Sequence, residues 1–153
     1  MTKRAPCRAG LCGDDRGSAL LEITISVWML MFVTFLIFEF CMLIYTYSVL
    51  GNAAREAVRY AVVHGTTSSS CSGPSSGCGD SSGSNVRAVA SGYAEVSFHD
   101  TRAMNISPSW PDGKSTPGSR VVVAITYPYI SYLHLPGFTS PTMTMRAEGR
   151  IVF

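Results

Sequence analysis

Few residues of this chain have the types and spacing that chemistry needs. Gly113-Lys114-Ser115 has the ending of a phosphate-binding loop, in which Lys reaches the phosphates and a hydroxyl holds Mg2+. That loop requires a Gly where Pro108 stands and a helix where Pro117 stands. The three histidines are His64, His99 and His134. His99 and Asp100 are adjacent, which makes no relay without a nucleophile, and surface or capping roles suit them. Cys71, Cys78 and His64 amount to three metal ligands where a structural zinc site takes four. No G-x-S-x-G elbow or dinucleotide fingerprint is present. The expectation is a protein that is not an enzyme and has no cofactor, metal, small-molecule substrate or nucleic-acid partner. Two carboxylates with apolar neighbours, Glu22 and Glu39, ask the more useful question, because an ionised group in lipid is costly and marks a partner.

The element that carries both is an apolar run. Ser18–Ala54 has no other charge, no Pro and one Gly, Gly51. Ile23–Leu50 has no polar face, and a helix apolar all round sits in lipid or in a protein core. About 20 such residues cross a bilayer, so the membrane is the expected partner, with a span at about 23–50. The run is too long for a cleaved secretory signal, whose apolar core is ~7–15 residues. Composition agrees: 14% of the 153 residues are charged and 46% apolar, against roughly 25% charged in a soluble domain. The formal charge of +2 is too weak to argue for nucleic acid. Residues 1–17 account for all of it, with Lys3, Arg4, Arg8 and Arg16 against Asp14 and Asp15. A basic leader before the run favours a cytoplasmic N-terminus and an exported C-terminal part.

The helix is expected to continue past the membrane. Ala53, Ala54, Ala57, Val58, Ala61 and Val62 form a small-residue stripe at helical spacing, with Arg55, Glu56 and Arg59 off it. Gly65 is a plausible stop, so the helix covers 18–65, roughly 70 Å at ~1.5 Å per residue. Such a stripe packs either on a neighbouring helix or on the chain's own C-terminal domain.

At the junction stands Arg16-Gly17-Ser18-Ala19-Leu20-Leu21-Glu22-Ile23, with an acid in the fifth position after Gly17. This resembles the processing site of type IV pilin-like proteins, which implies cleavage by prepilin peptidase after Gly17, Ser18 as the new N-terminus and Glu22 facing a terminal amine. Ile23 stands where the family has Phe or Tyr. The helix macrodipole also favours Glu22 near that end. More narrowly, RGSALLE, the apolar run containing Phe38-Glu39-Phe40, and NAAREAVRYAVVHG (Asn52–Gly65) resemble the TadE-like family. That resemblance implies a pseudopilin or minor pilin of the tight-adherence (Flp-type) pilus or a related secretion machine. It would be a single-pass protein of the bacterial inner membrane, with pilin-like subunits and the assembly platform as partners. For Glu39 the residues alone leave snorkelling or neutral burial open beside a partner contact, and the resemblance favours contact with a partner helix; Arg55, Glu56 and Arg59 would face partners or solvent just outside the membrane. The alternative is an unprocessed single-span protein whose exported domain binds an envelope partner.

Residues 66–84 hold nine Ser and four Gly, the composition of a flexible loop. Cys71 and Cys78 within it, with six residues between them, are a possible disulfide in an oxidising compartment. Cys7 and Cys12 lie in the leader, and Cys41 reads as a packing residue. Residues 85–153 read as an extracytoplasmic α+β domain: a helix from Asn85 to Phe98, a short strand at Ala103–Ile106, a turn-rich loop at Ser107–Gly118, a strand at Arg120–Tyr127, and a last strand from Thr142 to Phe153. The expected fold is α+β and pilin-like in outline, a long helix followed by a small antiparallel sheet.

Overall fold

The computed structural model describes residues 15–97, 101–133 and 141–152. Cys7, Cys12, His99 and His134 lie outside the described residues. The element order is α1 (Asp15–Val63), α2 (Ser84–Glu95), β1 (Asn105–Ser109), β2 (Arg120–Pro128) and β3 (Thr142–Arg150). This is the expected α+β arrangement. The chain divides into two units, one ending at Phe38 and one running from Glu39 to Phe153.

In the first unit only the helix is described. From Gly17 to Phe38 every side chain is exposed except half-buried Leu36. Trp28 is 76% exposed and Leu30 67%. Two threonines in this stretch bond back to the helix: the Thr24 hydroxyl donates to the Leu20 carbonyl at 2.7 Å and Thr34 to Leu30 at 2.9 Å. Back-bonding of this kind suits an environment with no other hydrogen-bond partner. Among the described residues α1 is the one helix long and apolar enough to cross a membrane.

The second unit is a three-stranded antiparallel sheet in the order β1-β2-β3, with helices over one face. β2 is central and alternates towards the core: Val121, Val123, Ile125 and Tyr127 point in, opposite Gly149, Ala147, Met145 and Met143 of β3. The other face pairs Val122 with Glu148 and Ala124 with Arg146. The core joins these residues to Leu50, Ala53, Ala54, Ala57, Val58 and Ala61 of α1 and to Val86, Ala90 and Ala94 of α2. The alanine stripe allows close approach. A Cβ added at Gly149 would meet Val58 Cγ1 at 2.6 Å and Val62 Cγ2 at 2.9 Å. The stripe is therefore buried on the chain's own sheet, one of the two packing partners it suits. Thr46, Val49 and Leu50, inside the span expected at about 23–50, are likewise buried in this protein core.

Three other expectations shift. The first strand begins at Asn105 and runs to Ser109, through the segment expected as a loop. Pro108 is accommodated because β1 is an edge strand. The helix α2 ends at Glu95, short of Phe98. The Ser/Gly-rich loop is pinned rather than loose, for reasons given next.

Candidate processing and interaction sites

Gly17 and Ser18 sit in the first turns of α1, and a Cβ at Gly17 would meet nothing within 4 Å. The Gly17–Ser18 peptide bond thus lies near a helix end that carries a poor helix former, where unwinding costs least. Glu22 is exposed one turn further on. The three expected junction residues are therefore on one accessible helix end.

Glu39 has partners within its own chain. Its Oε1 accepts from the Tyr129 hydroxyl at 2.8 Å, and its two oxygens accept from the Tyr132 N–H at 3.2–3.3 Å. The Leu133 N–H donates to Oε2 at 3.4 Å. The segment after β2 is thereby fastened to α1 across some 90 residues of sequence. Burial, then the Glu39 hydrogen bond, push the Tyr129 phenol above its ordinary range. A helix arriving as a partner for this carboxylate would have to displace that loop. Arg55, Glu56 and Arg59 are exposed on the side of α1 away from the core. His64 stacks on Tyr60 with ring centroids 3.9 Å apart, and its Nδ1 lies 2.9 Å from the Tyr60 carbonyl. That contact gives His64 a local structural role.

Asp80 is the residue that sequence reasoning missed in the 66–84 loop. Its buried carboxylate accepts from the Ser72 hydroxyl at 2.6 Å, the Ser84 N–H at 2.8 Å and the Asn85 N–H at 2.8 Å. The Ser84 and Ser82 hydroxyls complete the set at 2.9 and 3.1 Å. Gly83, the N-cap of α2, has no side chain to offer, so Asp80 serves the helix's first N–H groups from three residues upstream. Burial raises the Asp80 pKa, but the hydrogen bonds from Ser72, Asn85 and Ser84 outweigh it and hold the carboxyl far below the usual range. An Asp shortly before an apolar-periodic stretch was the available signal.

Cys71 and Cys78 are joined as a disulfide, with Cα atoms 5.0 Å apart. The loop is further tied to Ser115, whose N–H and hydroxyl both donate to the Ser75 hydroxyl at 2.8 Å. Lys114 is exposed beside it, in a turn that continues into β2 without a helix. Cys41 is a free, exposed thiol. Among the described residues no group of three or more His, Cys, Asp or Glu converges as a metal site.

Comparison with known families finds a match to the family described as TadE-like protein, over residues 17–59. No curated protein and no solved structure matches the chain. The match opens at Gly17, takes in Glu22, Glu39, Arg55 and Glu56, and closes at Arg59, covering less than a third of the sequence. Residues 17–59 are thus similar to the TadE-like protein family, as the sequence resemblance implied.

Proposed function

We propose that this protein is a pseudopilin or minor pilin of a tight-adherence (Flp-type) pilus or related secretion machine. Prepilin peptidase cuts it after Gly17. The N-terminus lies in the cytoplasm, the helix crosses the inner membrane once, and the α+β domain is exported. It acts by assembly with pilin-like subunits and the assembly platform, not as an enzyme.

One observation carries this reading: the exposed, lipid-suited stretch of α1 runs on from the proposed cut, with Glu22 one turn further, and the TadE-like segment starts at the same Gly. The bare stretch Ser18–Phe38 has 21 residues, about 31 Å at ~1.5 Å per residue, against a hydrocarbon core of ~30 Å. We therefore assign the span to these residues, shifted towards the N-terminus from about 23–50. At its cytoplasmic end, Glu22 neutralises an N-terminal amine, its own or a neighbour's. On the far side, Arg55, Glu56 and Arg59 are left on the outer face of α1 for assembly partners.

The test is Glu22→Ala in a native host that makes the pilus. Cleavage is expected to persist while incorporation and pilus yield fall. Wild-type pilus assembly with normal processing would remove Glu22 from the mechanism.

A further inference from the structure

We propose that the outer end of the span carries an aromatic collar that lies in the lipid headgroup layer, held in place by Glu39. The proposal rests on the assignment of the span to Ser18–Phe38. Glu39 is the next residue, so that assignment puts its backbone at the outer limit of the hydrocarbon. Its carboxylate accepts from the Tyr129 hydroxyl and from the N–H groups of Tyr132 and Leu133. Those bonds bring the loop after β2 to the level of Glu39 on the helix axis.

Among the described residues of this loop, the exposed side chains are apolar or aromatic. Ile130 is 59% and Tyr132 66% exposed. On the adjoining turns of α1, Phe40, Ile44 and Tyr47 are more than half exposed. Ser18–Tyr47 has 30 residues, about 44 Å at ~1.5 Å per residue, which matches the ~40–45 Å of a bilayer with its headgroup layer. Aromatic side chains with one apolar and one wet end concentrate in that layer. No Lys or Arg occurs between Ser18 and Ala54 or between Val121 and Met145. A neutral aromatic surface continuous with a membrane span therefore fits lipid. The Glu39 bonds also explain how a carboxylate is tolerated there: its acceptor capacity is met inside the chain. Glu39 is a positioning residue in this account. Removing it releases the loop and leaves the span unchanged.

The experiment uses the full chain in lipid nanodiscs holding one copy each. Cys7, Cys12 and Cys41 are changed to Ser, and the Cys71–Cys78 bridge is kept. An environment-sensitive fluorophore is attached through Tyr132→Cys, Val27→Cys or Lys114→Cys in separate samples. Quenching is read with lipids carrying a nitroxide at a shallow or a deep acyl position. The span assignment predicts deep quenching at position 27 and none at position 114. The collar predicts shallow quenching and a blue-shifted emission at position 132, both lost when Glu39→Ala is added. Deep quenching at 27 with no quenching at 132 overturns the collar and keeps the span. Absence of quenching at 27 overturns the span itself. A blue shift at 132 that needs several copies per disc would assign the surface to a second copy of this chain and overturn the lipid proposal. Shallow quenching at 132 that survives Glu39→Ala would remove the role given to Glu39.

Discussion

Asp80→Asn is the substitution that most sharply tests how the α+β domain is held together. The side chain is buried and five donors converge on it, including the N–H groups of Ser84 and Asn85. Asn keeps the size and one carbonyl oxygen but places an NH2 group where a second acceptor stood. With its oxygen turned to Ser84, the Asn85 N–H loses its partner, and the Ser72 hydroxyl must turn from donor to acceptor. Stranding one partly buried donor costs about 1–3 kcal/mol. Losing the negative charge beside a helix N-terminus adds about 0.3–1 kcal/mol. The expected loss is about 1–4 kcal/mol, or a fall in Tm on the order of 10 °C for a domain of this size. Thermal unfolding of the full chain in nanodiscs, followed by near-ultraviolet circular dichroism, reads it. Acid supplies an independent check. The Asp80 pKa is lower in the folded state than its ordinary ~3.9. Its contribution is therefore present above about pH 4 and drains away as pH falls below that value. The gap in Tm between wild type and Asp80→Asn should hold from pH 7 to about 4 and narrow as the pH falls below 4. A Tm within the ~0.5 kcal/mol of a neutral surface change, or a gap unaffected by acid, would refute the network's role.

Four further outcomes follow from the packing and the exposed face. Gly149→Val puts a branched side chain where even a Cβ would lie 2.6 Å from Val58 Cγ1; the sheet must part from α1, at a cost of about 3 kcal/mol or more in denaturant unfolding. Gly83→Ala combines a left-handed φ of 72° with a Cβ 2.7 Å from the Trp110 ring, so α2 should lose protection in amide exchange before the sheet does. Reducing the Cys71–Cys78 bridge releases a closed loop of sequence separation 7; about 2 kcal/mol of stability should go with it, measured by unfolding with and without reductant. Arg59→Glu, on the exposed side of α1, should leave Tm within ~0.5 kcal/mol of wild type but lower incorporation into pili in the native host. Unchanged incorporation would free Arg59 from any partner role.

Local signals carried the helices and the two long strands. The apolar run and alanine stripe mark α1 because helical spacing is written in adjacent turns, and β2 declares itself through Val121–Ile125. The second half of the first strand, Ser107–Ser109, was hidden by Pro108, which reads as a breaker unless the strand is known to be an edge. The 66–84 loop looks loose because composition reports entropy and not partners. Ser75 and Ser115 tie it down only once the fold brings residues 40 positions apart into contact, while Asp80 ties it through neighbours two to eight positions away. Glu39 was legible as an anomaly, a carboxylate in an apolar run, yet its partners lie some 90 residues downstream. Likewise, the stripe at Ala53–Ala61 suits a neighbour or the chain's own sheet equally well from sequence, and only the close approach at Gly149 distinguishes them. By contrast, the junction at Gly17, Ser18 and Glu22 is wholly local, so sequence and family match meet there.

The most direct measurement of the central claim is the intact mass and N-terminal residue of the protein taken from membranes of its native host. Processing after Gly17 predicts a chain beginning at Ser18, lighter by the 17-residue leader. A chain that retains Gly17 and the residues before it, in cells with a competent prepilin peptidase, would contradict the pilin-like account and leave a membrane-anchored protein whose exported domain binds an envelope partner.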